Sequence, residues 1–187
     1  MVSSLNLPTG TVDVFLQDGQ PDYTIHEGVA FDRIPAPVQE AVKAGGFDVF
    51  YFGTLAQRDP ASRATLHGIL EQNRFDYVFY DINIRKNFYS REIIESSLRF
   101  ANIFKINDQE AEFLSGLLYG SVLSTEDFCR KLAVDFGLLI IIVTAAEKGC
   151  HLWFDGSLHH IPARKVIVAD AVGAGDSFSA AFVTMLL

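Results

Sequence analysis

Short runs of aliphatic and aromatic residues alternate with amphipathic stretches along most of this chain, and that alternation limits the folds open to it. Phe47–Phe52, Tyr77–Ile82, Ile103–Ile106 and Leu138–Val143 are predominantly apolar runs with the length and β-branched or aromatic content of buried strands. Between them, Ala61–Gln72, Arg91–Phe100, Asp108–Leu114 and Thr125–Phe136 read as helices, with Ser90 as the cap of the second. Strands with apolar residues on both faces must be covered on both sides. The expected fold is therefore α/β, a mostly parallel sheet with helices on both faces. Such sheets bind ligands at the carboxyl ends of their strands.

The amino-terminal part differs. Thr11–Leu16 and Tyr23–His26 flank the turn cluster Gln17-Asp18-Gly19-Gln20-Pro21 and read as a β-hairpin. Val38–Ala44 is a short helix stopped by Gly45-Gly46. Near the other end, His151–Phe154 and Leu158–Pro162 form a second hairpin around Asp155-Gly156, and an apolar helix runs from Asp176 onward.

Composition narrows the partners. With a formal charge of −8, the chain lacks the basic face that nucleic acid or an anionic membrane requires. Its longest aliphatic run, Leu138–Val143, falls far short of the ~20 residues needed to span a bilayer. Cys129 and Cys150 form neither a disulfide framework nor a zinc site and read as buried reduced thiols. No secretion signal is evident, so a cytoplasmic protein is expected.

The chemistry concentrates at Asp170-Ala171-Val172-Gly173-Ala174-Gly175-Asp176-Ser177-Phe178. Glycines at a helix mouth let successive amides converge, and the helix dipole adds positive potential, which makes an anion hole. A carboxylate inside that hole does nothing for anion binding. Asp176 makes sense if it takes a proton from an attacking hydroxyl while the amides hold a phosphoryl group. The bland reading is a glycine-rich helix start whose acidic residue complements the dipole. A dinucleotide fingerprint is ruled out, since Phe178 stands where its third glycine belongs, and no P-loop pattern occurs.

Two further corners carry polar residues. Asn107 and Glu110 lie one helical turn apart, so they can form a capping box or organise magnesium-bound water. Asp81, Asn83 and Arg85 sit at a strand's carboxyl end, where they can line a cleft or simply decorate a polar loop.

Asp170–Asp176 resembles the D-T-x-G-A-G-D motif of the ribokinase-like (PfkB) carbohydrate kinases, with Ala171 in place of threonine. Asn107–Glu110 is similar to that family's N-x-x-E motif, and Val143–Gly149 to its V-T-x-G-x-x-G segment, with Ala146 in place of the first glycine. Asp81–Arg85 and Phe52–Arg58 resemble segments of fructokinase-like members, and Thr9–Val12 and Gly28–Asp32 its lid strands, so residues 9–34 would form a β lid. The resemblance implies a kinase that moves the γ-phosphoryl of ATP to a sugar hydroxyl, fructose foremost. Asp176 would be the base, with Gly173, Ala174 and Gly175 supplying the anion hole. Asn107, Thr144, Ala146 and Gly149 would lie at the nucleotide, Glu110 at Mg2+ through water, and Asp170 at a monovalent cation such as K+. It also implies a homodimer paired through the lids. Ribose, a nucleoside or ketodeoxygluconate are alternative substrates, and a non-catalytic homologue is the rival from another class. Residues 1–187 are expected to be a partial domain, truncated at both ends relative to the family.

Overall fold

The computed structural model describes residues 7–17, 20–167 and 172–187. Six strands form one sheet in the order β3-β4-β5-β6-β7-β8: β3 (Val49–Gly53), β4 (Tyr77–Asp81), β5 (Ile103–Asn107), β6 (Ile140–Thr144), β7 (Cys150–Phe154) and β8 (Ser157–Ile161). The first four are parallel and the last two antiparallel. A separate two-stranded sheet joins β1 (Val12–Gln17) to β2 (Gln20–Ile25). The expected parallel sheet and amino-terminal β-hairpin are both present.

Alternation along the strands explains why both faces are covered. Phe79, Ile103 and Ile142 point to one face, where Phe178 and Phe182 of α6 (Ala174–Leu186) pack on them. Their neighbours Tyr80, Phe104, Ile141 and Val143 point to the other. There they meet α3 (Arg91–Phe100), α4 (Asp108–Tyr119) and α5 (Thr125–Phe136) through Ile94, Leu98, Leu114, Phe128 and Leu132. A one-residue slip would exchange the two sets, so the register is strongly specified. Stacked rings of Phe52, Tyr80 and Phe104 bridge β3, β4 and β5 at centroid distances of 5.0 and 5.6 Å.

Several boundaries differ from the sequence expectation. Helix α4 continues past Leu114 to Tyr119, because Gly116 is tolerated inside it and Gly120 supplies the left-handed cap. Strand β6 begins at Ile140 rather than Leu138, with Leu139 turned outward. Helix α6 starts at Ala174, two residues earlier than expected.

The hairpin is tied to the sheet domain through Arg58. After β3 the chain makes a short 3-10 turn (Leu55–Gln57) before α2 (Pro60–Gln72), and Arg58 lies between the two. Its guanidinium is held by Asp32 at 2.7 and 2.9 Å and donates to the carbonyl of His26, where β2 ends. The rings of Phe31 and Phe88 cover it at 4.7 and 4.6 Å. A buried pair of this kind is costly to break from one side, since the other charge is left unpaired.

Burial pushes the Asp32 carboxyl up, but Arg58 and the amides of Val29 and Gly28 outweigh it and hold the group below its ordinary value. A depressed carboxylate contributes stability that is full above its unfolded value of 3.8 and is lost as pH falls through the lower folded value. Denaturant melts should therefore show wild-type stability falling as pH drops below about 4. Asp32→Asn should lower stability at pH 7 by about 3 kcal/mol and flatten that acid dependence.

Candidate active site

The site lies along the carboxyl ends of the parallel strands. Asp81 closes β4 and is buried. Its Oδ2 accepts three hydrogen bonds from three other elements: Lys105 Nζ of β5 at 2.8 Å, Tyr51 Oη of β3 at 2.9 Å and Ser179 Oγ of α6 at 2.9 Å. Burial, followed by the Asp81 and Asp176 charges, pushes the Tyr51 phenol above its ordinary range, so it stays a donor.

Beside this cluster is a cleft of about 320 Å3, into which Phe31, Tyr51, Asn83, Arg85 and Asp176 face together with Asp81. Asp81, Asn83, Arg85 and Asp176 therefore come together at this cleft. Asn83 takes a left-handed turn, φ 43°, which swings the chain so that Ile84 N donates to Glu110 Oε1 at 2.7 Å. Asn tolerates this conformation better than most residues.

Asp176 sits in the first turn of α6. Gly173, at φ 75°, supplies the left-handed entry to the helix, and no side chain caps the turn. Residues 172–177 are exposed. The amides of Ala174, Gly175 and Asp176 thus lie at an open helix mouth of partial positive charge. A methyl on Gly175 would stand 3.6 Å from Lys105 Nζ, so the ammonium lies against this turn. Asp170 and Ala171 fall outside the described residues.

Asn107 and Glu110 form a complete capping box. Asn107 Oδ1 accepts from Glu110 N at 2.8 Å, and Glu110 Oε2 accepts from Asn107 N at 3.1 Å. With Ile84 on its other oxygen, Glu110 binds the loop after β4 to the start of α4. Burial pushes its carboxyl up, against those two backbone donors. Among the described residues no group of three His, Cys, Asp or Glu could hold a metal directly. The half-buried Glu110 carboxylate retains lone pairs that suit a metal-bound water, a role consistent with how Mg2+ keeps its hydration.

Asn107 pairs in register with Thr144, the last residue of β6. The chain then turns through Ala146–Lys148 and enters β7, with Ala145 N donating to Gly149 O at 2.8 Å. Asn107, Thr144, Ala146 and Gly149 so form the adjoining corners of the same sheet edge, and the cleft beside Asp176 does not include them. Gly149 has φ 97° and ψ −135°, and a Cβ there would collide with the backbone oxygen of Ile161. Only glycine fits. Ala146, with φ 45°, adopts a backbone that glycine holds without penalty.

Sequence reasoning left Tyr51, Lys105 and Ser179 without roles. Lys105 was the traceable one, being a lysine between the buried residues Phe104 and Ile106, which must find a partner.

Solved structures similar to this one include sugar kinases. A ribokinase from Thermotoga maritima superimposes with a TM-score of 0.77 at 22% identity, over 97% of this chain and 57% of that one. A fructokinase from Vibrio cholerae O395, bound to fructose, ADP and a potassium ion, gives 0.76 at 19%, over 95% and 57%. The architecture is thus that of the ribokinase-like kinases. The model of the pfkB family carbohydrate kinases matches residues 3–187, and the chain belongs to that family. Among curated relatives, a fructokinase from Klebsiella pneumoniae is 30% identical over 129 residues, 64% of this chain and 39% of that protein. The aminoimidazole riboside kinase of Salmonella typhimurium is 29% identical over 170 residues, 86% and 50%. The chain spans about half the length of such relatives or less.

The two small residues of the turn between β6 and β7 should respond oppositely to substitution. Ala146→Gly should raise stability by about 1 kcal/mol in denaturant melts, because the left-handed backbone loses its Cβ penalty. Gly149→Ala should cost several times as much, about 3 kcal/mol or more, since backbone atoms must move to admit the methyl.

Proposed function

We propose that the chain carries the phosphoryl-transfer site of an ATP-dependent sugar kinase, with Asp176 as the base. The observation that carries this reading is the placement of Asp176 at an uncapped helix mouth that opens on the cleft of Asn83 and Arg85. Asp176 takes the proton of a sugar hydroxyl, and that oxygen forms a bond to the γ-phosphorus of ATP. The bond from γ-phosphorus to its bridging oxygen breaks, and ADP leaves with the electron pair. The amides at Gly173–Asp176 hold the equatorial oxygens as charge builds on them. Arg85 offers a planar donor fork at the cleft rim.

Asn107, Thr144, Ala146 and Gly149 are assigned to the nucleotide. Asn107 and Glu110 would hold hydrated Mg2+, which supplies charge neutralisation to the phosphates when bound. Asp170 is assigned to a potassium ion, a reading supported by the aspartate-to-aspartate motif and by potassium in the Vibrio cholerae fructokinase. Fructose is the favoured substrate because fructokinases recur among the relatives, with aminoimidazole riboside, ribose and ketodeoxygluconate as alternatives. The β1-β2 hairpin acts as the lid that keeps water from competing as acceptor. Its exposed Val12 and Phe15 suit closure over a sugar or pairing with a second copy's lid. The cytoplasm is the proposed compartment; no helix among the described residues is long and apolar enough to cross a membrane.

A second reading, a homologue that binds nucleotide without turnover, draws on Ala146, a strained alanine at the nucleotide corner. Coupled ADP-release assays over a sugar panel separate the two. The expected result is turnover greatest with fructose, and a fall of at least ~100-fold in kcat for Asp176→Asn with sugar KM little changed. Near-wild-type turnover in that variant would remove Asp176 as the base, and nucleotide binding without any turnover would favour the second reading.

A further inference from the structure

The Asp81 cluster lies beside the proposed base, yet the transfer chemistry just described leaves it without a task. Its geometry is unusual for a substrate-contacting carboxylate. One oxygen, Oδ2, is already taken by Lys105, Tyr51 and Ser179, and the side chains of Asp81 and Lys105 are 6% and 9% exposed. Two of those donors come from strands on either side of β4. The third, Ser179, comes from α6, three residues past Asp176 and so on the same side of that helix one turn on. Lys105 also abuts Gly175.

Resting on the kinase reading, we infer that Asp81 and Lys105 are positioning residues for the base: a neutral buried pair that seats the first turn of α6 through Ser179 and leaves Asp176, among the described residues, as the only uncompensated carboxylate at the helix mouth. The argument is electrostatic. The helix mouth must receive a polyanionic phosphate while holding one carboxylate that has to stay ionised. A second bare carboxylate on β4 would oppose both. Lys105 at 2.8 Å cancels it, and its burial keeps that cancellation from being screened by solvent. The groups that face Asp81 include Tyr51 of β3, Lys105 of β5, and Ser179 and Asp176 of α6, with Arg85 and Glu110 close enough to act through space. Neutralisation by Lys105 is the contribution the inference isolates.

Stepwise charge removal in a mutant cycle tests this in a way that a merely structural role would not satisfy. Lys105→Met exposes the Asp81 charge to the helix mouth. It should weaken binding of the non-hydrolysable analogue AMP-PNP about 10-fold by calorimetry and move the acidic limb of the kcat–pH profile up by about one unit. Adding Asp81→Asn to Lys105→Met removes both charges. It should return the affinity to within about 3-fold of wild type and the limb to its original place, whatever the effect on stability, because neutral isosteres of a buried pair are tolerated. Should Lys105→Met fail to fold, Ser179→Ala, a small neutral change, still tests the seating. It should lower kcat about 10-fold with both KM values within 3-fold of wild type.

An unchanged affinity and acid limb in Lys105→Met, or an unchanged kcat in Ser179→Ala, would overturn the inference while leaving Asp176 as the base. Absence of AMP-PNP binding by the unmodified chain would overturn the kinase reading, and this inference with it.

Discussion

A carboxylate taken out of water at the end of a strand has to be met by donors, and at Asp81 they arrive from three elements far apart in sequence. The penalty for burying an unpaired charge is several kcal/mol, comparable with the whole stability of a domain this size. The contacts from Tyr51, Lys105 and Ser179 are therefore conditions on the fold as much as features of the site. They can all be made only when β3, β4 and β5 are in parallel register and α6 lies across their face. The same register that buries Phe79, Ile103 and Ile142 under α6 brings Asp176 to the edge of the cleft. Packing and chemistry are specified together.

Two other clamps work on the same principle. Glu110 spends both carboxylate oxygens on backbone amides, one at its own helix cap and one in the loop after β4. It thereby fixes the distance between the Asp81–Arg85 loop and the Asn107 corner. Arg58 binds Asp32 and the end of β2 while two aromatic rings exclude water from its faces. That clamp sets where the hairpin leaves the sheet domain. In each case a charged side chain with several hydrogen-bonding sites joins segments that periodicity alone would leave independent.

Much of this was legible in the sequence. Predominantly apolar runs such as Leu138–Val143 pointed to the parallel strands, and the glycines before Asp176 to the helix mouth, because both depend on local residue type. The Asn107–Glu110 spacing pointed to a capping box and to magnesium-bound water alike, and the structure forms the capping box. The convergence on Asp81 was not legible. Tyr51 and Ser179 are ordinary strand and helix residues until tertiary structure brings them within hydrogen-bonding distance. Helix ends also escaped, as at α4, expected to end at Leu114 but continuing to Tyr119, where Gly120 has the left-handed backbone.

The charge balance links these points. On the proposed kinase reading, a chain of formal charge −8 cannot gather a nucleotide by a broad positive field. Its positive potential has to be local and has to come mostly from groups that carry no net charge. Amides at the α6 mouth satisfy that condition, and so does Lys105, whose charge is balanced by Asp81 yet lies on the side nearest Gly175. Arg85 is the cation at the cleft that stays exposed, where solvent weakens its reach. A site built this way binds through the geometry of fixed dipoles, which are strong only at the distance of a hydrogen bond. Small displacements of α6 then matter more to the site than any change in overall charge, and the Ser179–Asp81 contact is the bond that holds the helix against them.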